Sequence, residues 1–152
     1  MERVPRWNII ASVYDGKETD WQWLWKKKFP QKLIGFLWTI LHGKLLPNSM
    51  RLKRGLSDNS CCPFCSENED LNHLFRACHK AKEVWTAVQN QHWYLQMLDE
   101  PWRNWLFSNS KSKAKFGAKS AWSTVFLVTL WKIWKNRTLK VLKANWLPRL
   151  KV

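Results

Sequence analysis

Carboxylates are the scarce side chain in this sequence. Its 152 residues include only 11 Asp and Glu, and none lies beyond Glu100. Polymerase and nuclease chemistry on divalent metal needs clustered carboxylates, and no paired-Asp motif is present. A zinc deaminase needs His-x-Glu together with Pro-Cys-x-x-Cys, and none of His42, His73, His79 and His92 has a Glu two residues on. The expectation is therefore a chain that is not an enzyme. An apolar leader is also missing, because Met1 to Ile10 has no h-region. The longest uncharged apolar stretch, Ser120 to Trp131, is too short to span a bilayer. These two absences read as a nuclear or cytoplasmic protein with no membrane partner. Its thiols then stay reduced, which favours metal binding over disulfides. No βαβ pattern surrounds Cys62-x-x-Cys65, so a thioredoxin-like role has no support.

Cations and tryptophan are abundant instead. The net charge is +15, and 13 residues are Trp. Residues 1–60 carry 11 Lys or Arg against five acids, 61–100 three against six, and 101–152 twelve against none. An acidic middle of net −3 thus lies between flanks of +6 and +12. Such flanks attract polyanions, with RNA or DNA the commonest, bound without sequence preference. Candidate contacts are Lys26, Lys27, Lys28, Arg51, Lys53 and Arg54 in the first flank, and Lys111, Lys113, Lys115 and Lys119 in the second. The bland reading of each run is a solvated face that keeps an aromatic-rich chain soluble. Most Trp residues fall on helical stripes with Leu and Ile and read as core. Stacking on single-stranded bases stays open for Trp21 and Trp23.

The acidic middle holds the sharpest signal. Cys62, Cys65, His73 and Cys78 read as C-x2-C-x7-H-x4-C. Three thiolates and one imidazole suit one tetrahedral zinc with no open position, a staple rather than a catalyst. Cys62 is preferred to Cys61 because only Cys62 makes the C-x2-C turn. His42, His79 and His92 read as bland. The single-strand-binding knuckle of retroviruses has four residues between its second Cys and its His, whereas seven separate Cys65 from His73. Any nucleic-acid contact should therefore come from the flanks.

The same stretch carries a resemblance. Cys62-Pro-Phe-Cys65, Glu69-Asp-Leu-Asn-His73-Leu-Phe-Arg-Ala-Cys78 and Ala81-Lys-Glu-Val-Trp85 resemble the reverse-transcriptase zinc-binding domain of plant non-LTR retrotransposons. Upstream, Leu24-Trp25-Lys26, Pro30-Gln31-Lys32, Phe36-Leu37-Trp38, Leu46-Pro47 and Leu52-Lys-Arg-Gly55 fit the family pattern. Downstream, Trp131-Lys-Ile-Trp134-Lys135-Asn136-Arg137 resembles an element that commonly follows, with Thr138 in place of Asn. The family usually has Thr where Asp70 stands. The resemblance runs from about Trp21 to Trp85 and weakly on to Leu142. It implies a nucleic-acid-binding module; the alternative is a protein-interaction or vestigial structural domain.

The expected fold is mainly α: short helices stapled by one zinc, plus a long C-terminal helix. Three segments are expected: a truncated lead-in over 1–20, the zinc-binding domain over 21–90 and a basic helical extension over 91–152. Leu33, Ile34, Leu37, Trp38 and Leu41 mark one helical face, closed by Gly43. A short helix follows Pro47 and ends at Gly55. Asn68 to Asp70 offers a helix start, Lys80 to Gln89 another helix, and Asn109 to Lys115 a polar, basic loop. The long helix is expected from Lys119 to about Lys143, its first half apolar nearly all round and buried. Arg137 falls on its apolar side, where it either pairs with a carboxylate or reaches past the aromatics. No long-helix residue is a proposed ligand, so this helix is expected to outlast loss of the metal.

Overall fold

A computed structural model describes residues 22–146. The expected lead-in over 1–20 lies outside the described residues, as do Trp21 and the tail from Pro148. The chain divides into two compact units, one up to Leu45 and one from Leu46.

The first unit holds α1 (Gln22–Lys26) and α2 (Gln31–Leu41). Pro30 precedes α2 with φ −53 and ψ 140, where a residue without an N–H leaves no helical bond unmade. The face read from the sequence is buried at Leu33, Ile34, Leu37 and Leu41, and Phe36 and Ile40 join it. Trp38 is half-buried, and its ring stacks on His42 at 4.2 Å. Gly43 closes the helix at φ +61, a left-handed conformation that glycine adopts freely.

The second unit is helical with one small hairpin. It runs α3 (Asn48–Lys53), a π-helical turn (His73–Ala77), α4 (His79–Val88), α5 (Gln91–Leu98) and α6 (Trp102–Lys111). The hairpin β1 (Lys115–Phe116) and β2 (Ser120–Ala121) follows, then α7 (Trp122–Trp146). Helices α3 and α6 each start directly after a proline, Pro47 and Pro101. Asn90 caps α5, its side chain accepting the Trp93 N–H. The mainly α architecture with a long C-terminal helix is therefore as expected.

The core of this unit is aromatic. Trp85, Trp105, Phe75 and Phe126 are fully buried. The Trp105 ring meets Trp85 edge-on at 5.6 Å and Phe126 at 4.9 Å, geometries that put ring edges against ring faces. Trp122 adds a hydrogen bond from Nε1 to Asn109 Oδ1 at 2.7 Å, tying the start of α7 to the end of α6.

Three local expectations change. Asn109–Lys111 belong to α6 rather than to a loop. The segment after them turns at Gly117, φ +67, so that Lys115 pairs with Ala121, and α7 starts at Trp122 instead of Lys119. Within the first half of α7, Phe126, Leu127 and Leu130 are buried but Val128 is 37% exposed, so that half is not covered all round.

Candidate metal centre

Two short structures bring the four ligands together. The first is a small loop. Cys61 and Asn68 form an antiparallel bridge, the Cys62 N–H donates to Glu67 O at 2.6 Å and the Ser66 N–H to Cys62 O at 3.1 Å. Ser66 takes a left-handed φ of 64 to make the turn. Successive residues of an extended segment face opposite sides, so Cys62 points inward, 4% exposed, while Cys61 stays half-buried outside the cluster. That alternation is why Cys62 takes the place of ligand.

The second is the π-helical turn. The Cys78 N–H donates to His73 O at 2.8 Å, a bond to the residue five positions back, as in a π-helix. Asp70 Oδ1 accepts the His73 N–H at 2.7 Å and caps the entry. A π-turn displaces carbonyls from their helical partners. Trp85 Nε1 donates to Phe75 O at 2.8 Å, and the Tyr94 hydroxyl to Arg76 O at 3.0 Å. Burial pushes the Tyr94 hydroxyl above its ordinary pKa, which keeps it the donor that Arg76 O needs. Arg76 is itself buried, its guanidinium donating to the carbonyls of Met97 and Glu100 and to Asn72 Oδ1. The aromatic core thus holds the turn that presents His73 and Cys78.

The ligand atoms of Cys62, Cys65, His73 and Cys78 all lie within 4.8 Å of one another. A tetrahedral zinc with Zn–S of about 2.3 Å sets sulfur–sulfur edges of about 3.8 Å. Cys62 Sγ and Cys78 Sγ are 3.8 Å apart. Cys65 Sγ and His73 Nε2 are 3.1 Å apart, tighter than the roughly 3.6 Å of such a sulfur–nitrogen edge. The half-buried Cys65 side chain can absorb that difference. The other ring nitrogen, His73 Nδ1, lies 3.7 Å from Glu67 Oε2. A carboxylate there favours the proton on Nδ1 and leaves Nε2 for metal. The donor set therefore fits zinc, and among the described residues no fifth ligand joins it. His79, at the exposed start of α4, is not part of it.

Without metal the buried Cys62 and Cys78 thiols resist ionisation. Burial pushes Cys62 from 9.0 up to about 12, with Cys78 beside it adding to the rise. Burial also raises Cys78. A thiolate at either position needs a compensating cation, which a dication at the centre of the four ligands would supply.

A second cluster abuts the first. Glu69, in the loop between Cys65 and His73, is fully buried. Arg137 of α7, 4% exposed, donates to it from Nη2 to Oε1 and from Nε to Oε2 at 3.1 Å. Arg137 Nη2 also donates to Asn48 Oδ1 at 3.0 Å, and the Asn48 N–H donates to Glu69 Oε1 at 2.7 Å. Asn48 Nδ2 closes on Cys61 O at 2.6 Å. The metal loop, α3 and α7 are thus joined by one satisfied polar network. Of the two sequence readings of Arg137 the carboxylate pairing holds; at 4% exposed it does not reach past the aromatics, although its guanidinium lies 5.2 Å from the Trp134 ring centre. This pairing ties α7 to the metal loop, which bears against the expectation that the helix outlasts loss of the metal. Glu69 and Arg137 are 68 residues apart, and the one cue in the sequence was a cation on an apolar helix face.

The candidate nucleic-acid contacts are placed unevenly. In the first unit Lys26 and Lys28 are exposed, and Lys27 lies 5.9 Å from the Phe29 ring centre. In the second unit Lys53 and Arg54 are exposed at the end of α3. Arg51 is engaged, donating to Asn48 Oδ1 at 3.1 Å and Leu56 O at 3.3 Å. Lys111, Lys113, Lys115 and Lys119 are all exposed, on the last turn of α6 and around the hairpin. Trp23 is half-buried.

Comparison with known proteins agrees with the donor set. The family described as zinc-binding in reverse transcriptase matches residues 5–85. A protein of Arabidopsis thaliana described as a candidate ribonuclease H protein is 27% identical over 147 residues. That alignment covers 95% of this chain and 22% of the relative, so the chain spans about a fifth of the protein it matches. No solved structure matches the chain. No helix among the described residues is long and apolar enough to cross a membrane.

Proposed function

This chain belongs to the family of zinc-binding domains in reverse transcriptases, a retrotransposon-derived lineage with zinc as its cofactor, and from that membership we propose that it is a non-catalytic module that holds nucleic acid. The zinc organises the fold, and cations outside the metal loop bind the phosphates. The observation that carries this reading is the charge of residues 101–152, twelve cations and no acid, with Lys111, Lys113, Lys115 and Lys119 exposed around one hairpin. Support for a non-catalytic zinc comes from its donor set, because three thiols and an imidazole close a tetrahedral ion. Each neutralised phosphate releases counterions, so affinity should fall by roughly 0.7 to 0.9 log units per log unit of salt for each contact.

A filter-binding titration at two salt concentrations tests the proposal. Lys111→Gln, Lys113→Gln and Lys115→Gln together should lower the salt slope and leave the urea midpoint nearly unchanged, since exposed charges contribute little to folding. A second reading, a module that docks a protein, draws on Leu139 and Leu142, 52% and 45% exposed on α7. Flat salt dependence in the titration would favour it.

A further inference from the structure

A groove of about 410 Å³ opens on the metal centre, with Cys62 and Cys78 in its wall, between the metal loop, α4 and α7. Its volume far exceeds the space of one metal ion. Phe64, the aromatic of the Cys-Pro-Phe-Cys turn, lines it, with Leu74 and Ile133. Lys80, Lys140 and Lys143 stand around it. Lys80 is partly neutralised by Glu83 at 3.4 Å. Arg137, also in the wall, is matched by Glu69. Lys140 and Lys143 are exposed and stand three residues apart on α7, neighbours on one helix face. The groove therefore combines an aromatic and apolar floor with net positive charge on one side.

Resting on the nucleic-acid reading above, we propose that this groove seats an unpaired stretch of one or two nucleotides. The base lies against Phe64, and the flanking phosphates meet Lys140 and Lys143. The charge arrangement sets that orientation. A zinc held by three thiolates and a neutral imidazole carries one net negative charge, so the inner end repels phosphate and suits an uncharged base. The lysines supply the anion sites. Stacking on an aromatic ring above a cationic track is how single strands are held without sequence choice. A duplex presents no free base face, so it cannot use the floor. These residues differ from the ten cations that composition alone singled out.

The test uses the full zinc-loaded chain with two probes, an oligothymidylate and a duplex of equal length. The Lys140→Gln/Lys143→Gln variant should lower the single-strand salt slope by roughly 1.4, two contacts at about 0.7 each. Phe64→Leu should weaken single-strand binding roughly tenfold with the slope unchanged, because stacking releases no counterions. Duplex binding should be nearly unaffected by Phe64→Leu. Zinc content is measured for each variant. If Phe64→Leu loses zinc, the exposed lysine pair carries the test. Wild-type binding that both groove variants leave intact overturns the groove and leaves the nucleic-acid reading standing. Equal loss on duplex and single strand by Phe64→Leu also overturns it. Absence of any salt-dependent binding by the wild type overturns the functional reading itself, and the groove with it.

Discussion

Replacing Arg137 with leucine should nearly unfold the second unit. The side chain makes three hydrogen bonds, two to Glu69 and one to Asn48, from a position 4% exposed. Asn48 Oδ1 keeps the Arg51 donor at 3.1 Å. Glu69 keeps only the Asn48 N–H, so a fully buried carboxylate is left without its counter-charge. Breaking a buried pair by removing one partner costs about 3–5 kcal/mol, against a total of about 5–15 kcal/mol for a domain of ordinary stability. The damage should reach the metal, because Glu69 lies between Cys65 and His73 in the chain. The assay is urea denaturation of the zinc-loaded protein, with zinc release to a chromophoric chelator followed in parallel. Hydrogen exchange after chelation of the wild type provides the complementary readout, and protection near Leu74 and near Leu130 should be lost together. A cost below about 1 kcal/mol for Arg137→Leu, or protection at Leu130 that long outlasts that at Leu74, would refute the coupling.

Two further outcomes are expected. Cys62→Ser should lose zinc and lower the melting temperature sharply, whereas Cys61→Ser, outside the four-ligand set, should retain about one zinc per chain; metal analysis of the two purified variants decides, and identical behaviour refutes the ligand assignment. In the folded chain without metal, burial raises the Cys62 thiol from 9.0 to about 12, so that state keeps its stability below pH 9.0 and loses it as pH rises towards about 12, since the unfolded thiol ionises first. Because chelation should unfold the metal loop, ultraviolet thiolate absorbance of chelator-treated protein should show no group held well above the ordinary cysteine value, and a group that stays there would mean the loop remains folded without zinc and would contradict the coupling.

The ligand set was legible in the chain because it is local. Cys62 to Cys78 spans few residues, and C-x2-C with H-x4-C constrains the backbone whatever surrounds it. The choice of Cys62 over Cys61 was legible for the same reason. Helical spans were legible where apolar spacing was strong, as in α2, α4 and the body of α7. The hairpin at Lys115–Ala121 was not, because two-residue strands carry too little pattern and the polar run read as loop. Helix α6 was obscured in the same way, its last turn being Asn109, Ser110 and Lys111.

Tertiary structure alone decided the rest. Charge partition could point to cations in bulk but not to Arg51 being engaged by Asn48 and Leu56, nor to Lys140 and Lys143 standing over a groove. The π-turn needed Trp85 and Tyr94 from later helices to satisfy its displaced carbonyls. The pairing of Glu69 with Arg137 lies between residues 68 apart, where no spacing rule operates. A buried charge is tolerable only beside its partner, and which partner arrives is settled when helix α7 folds back along the metal loop.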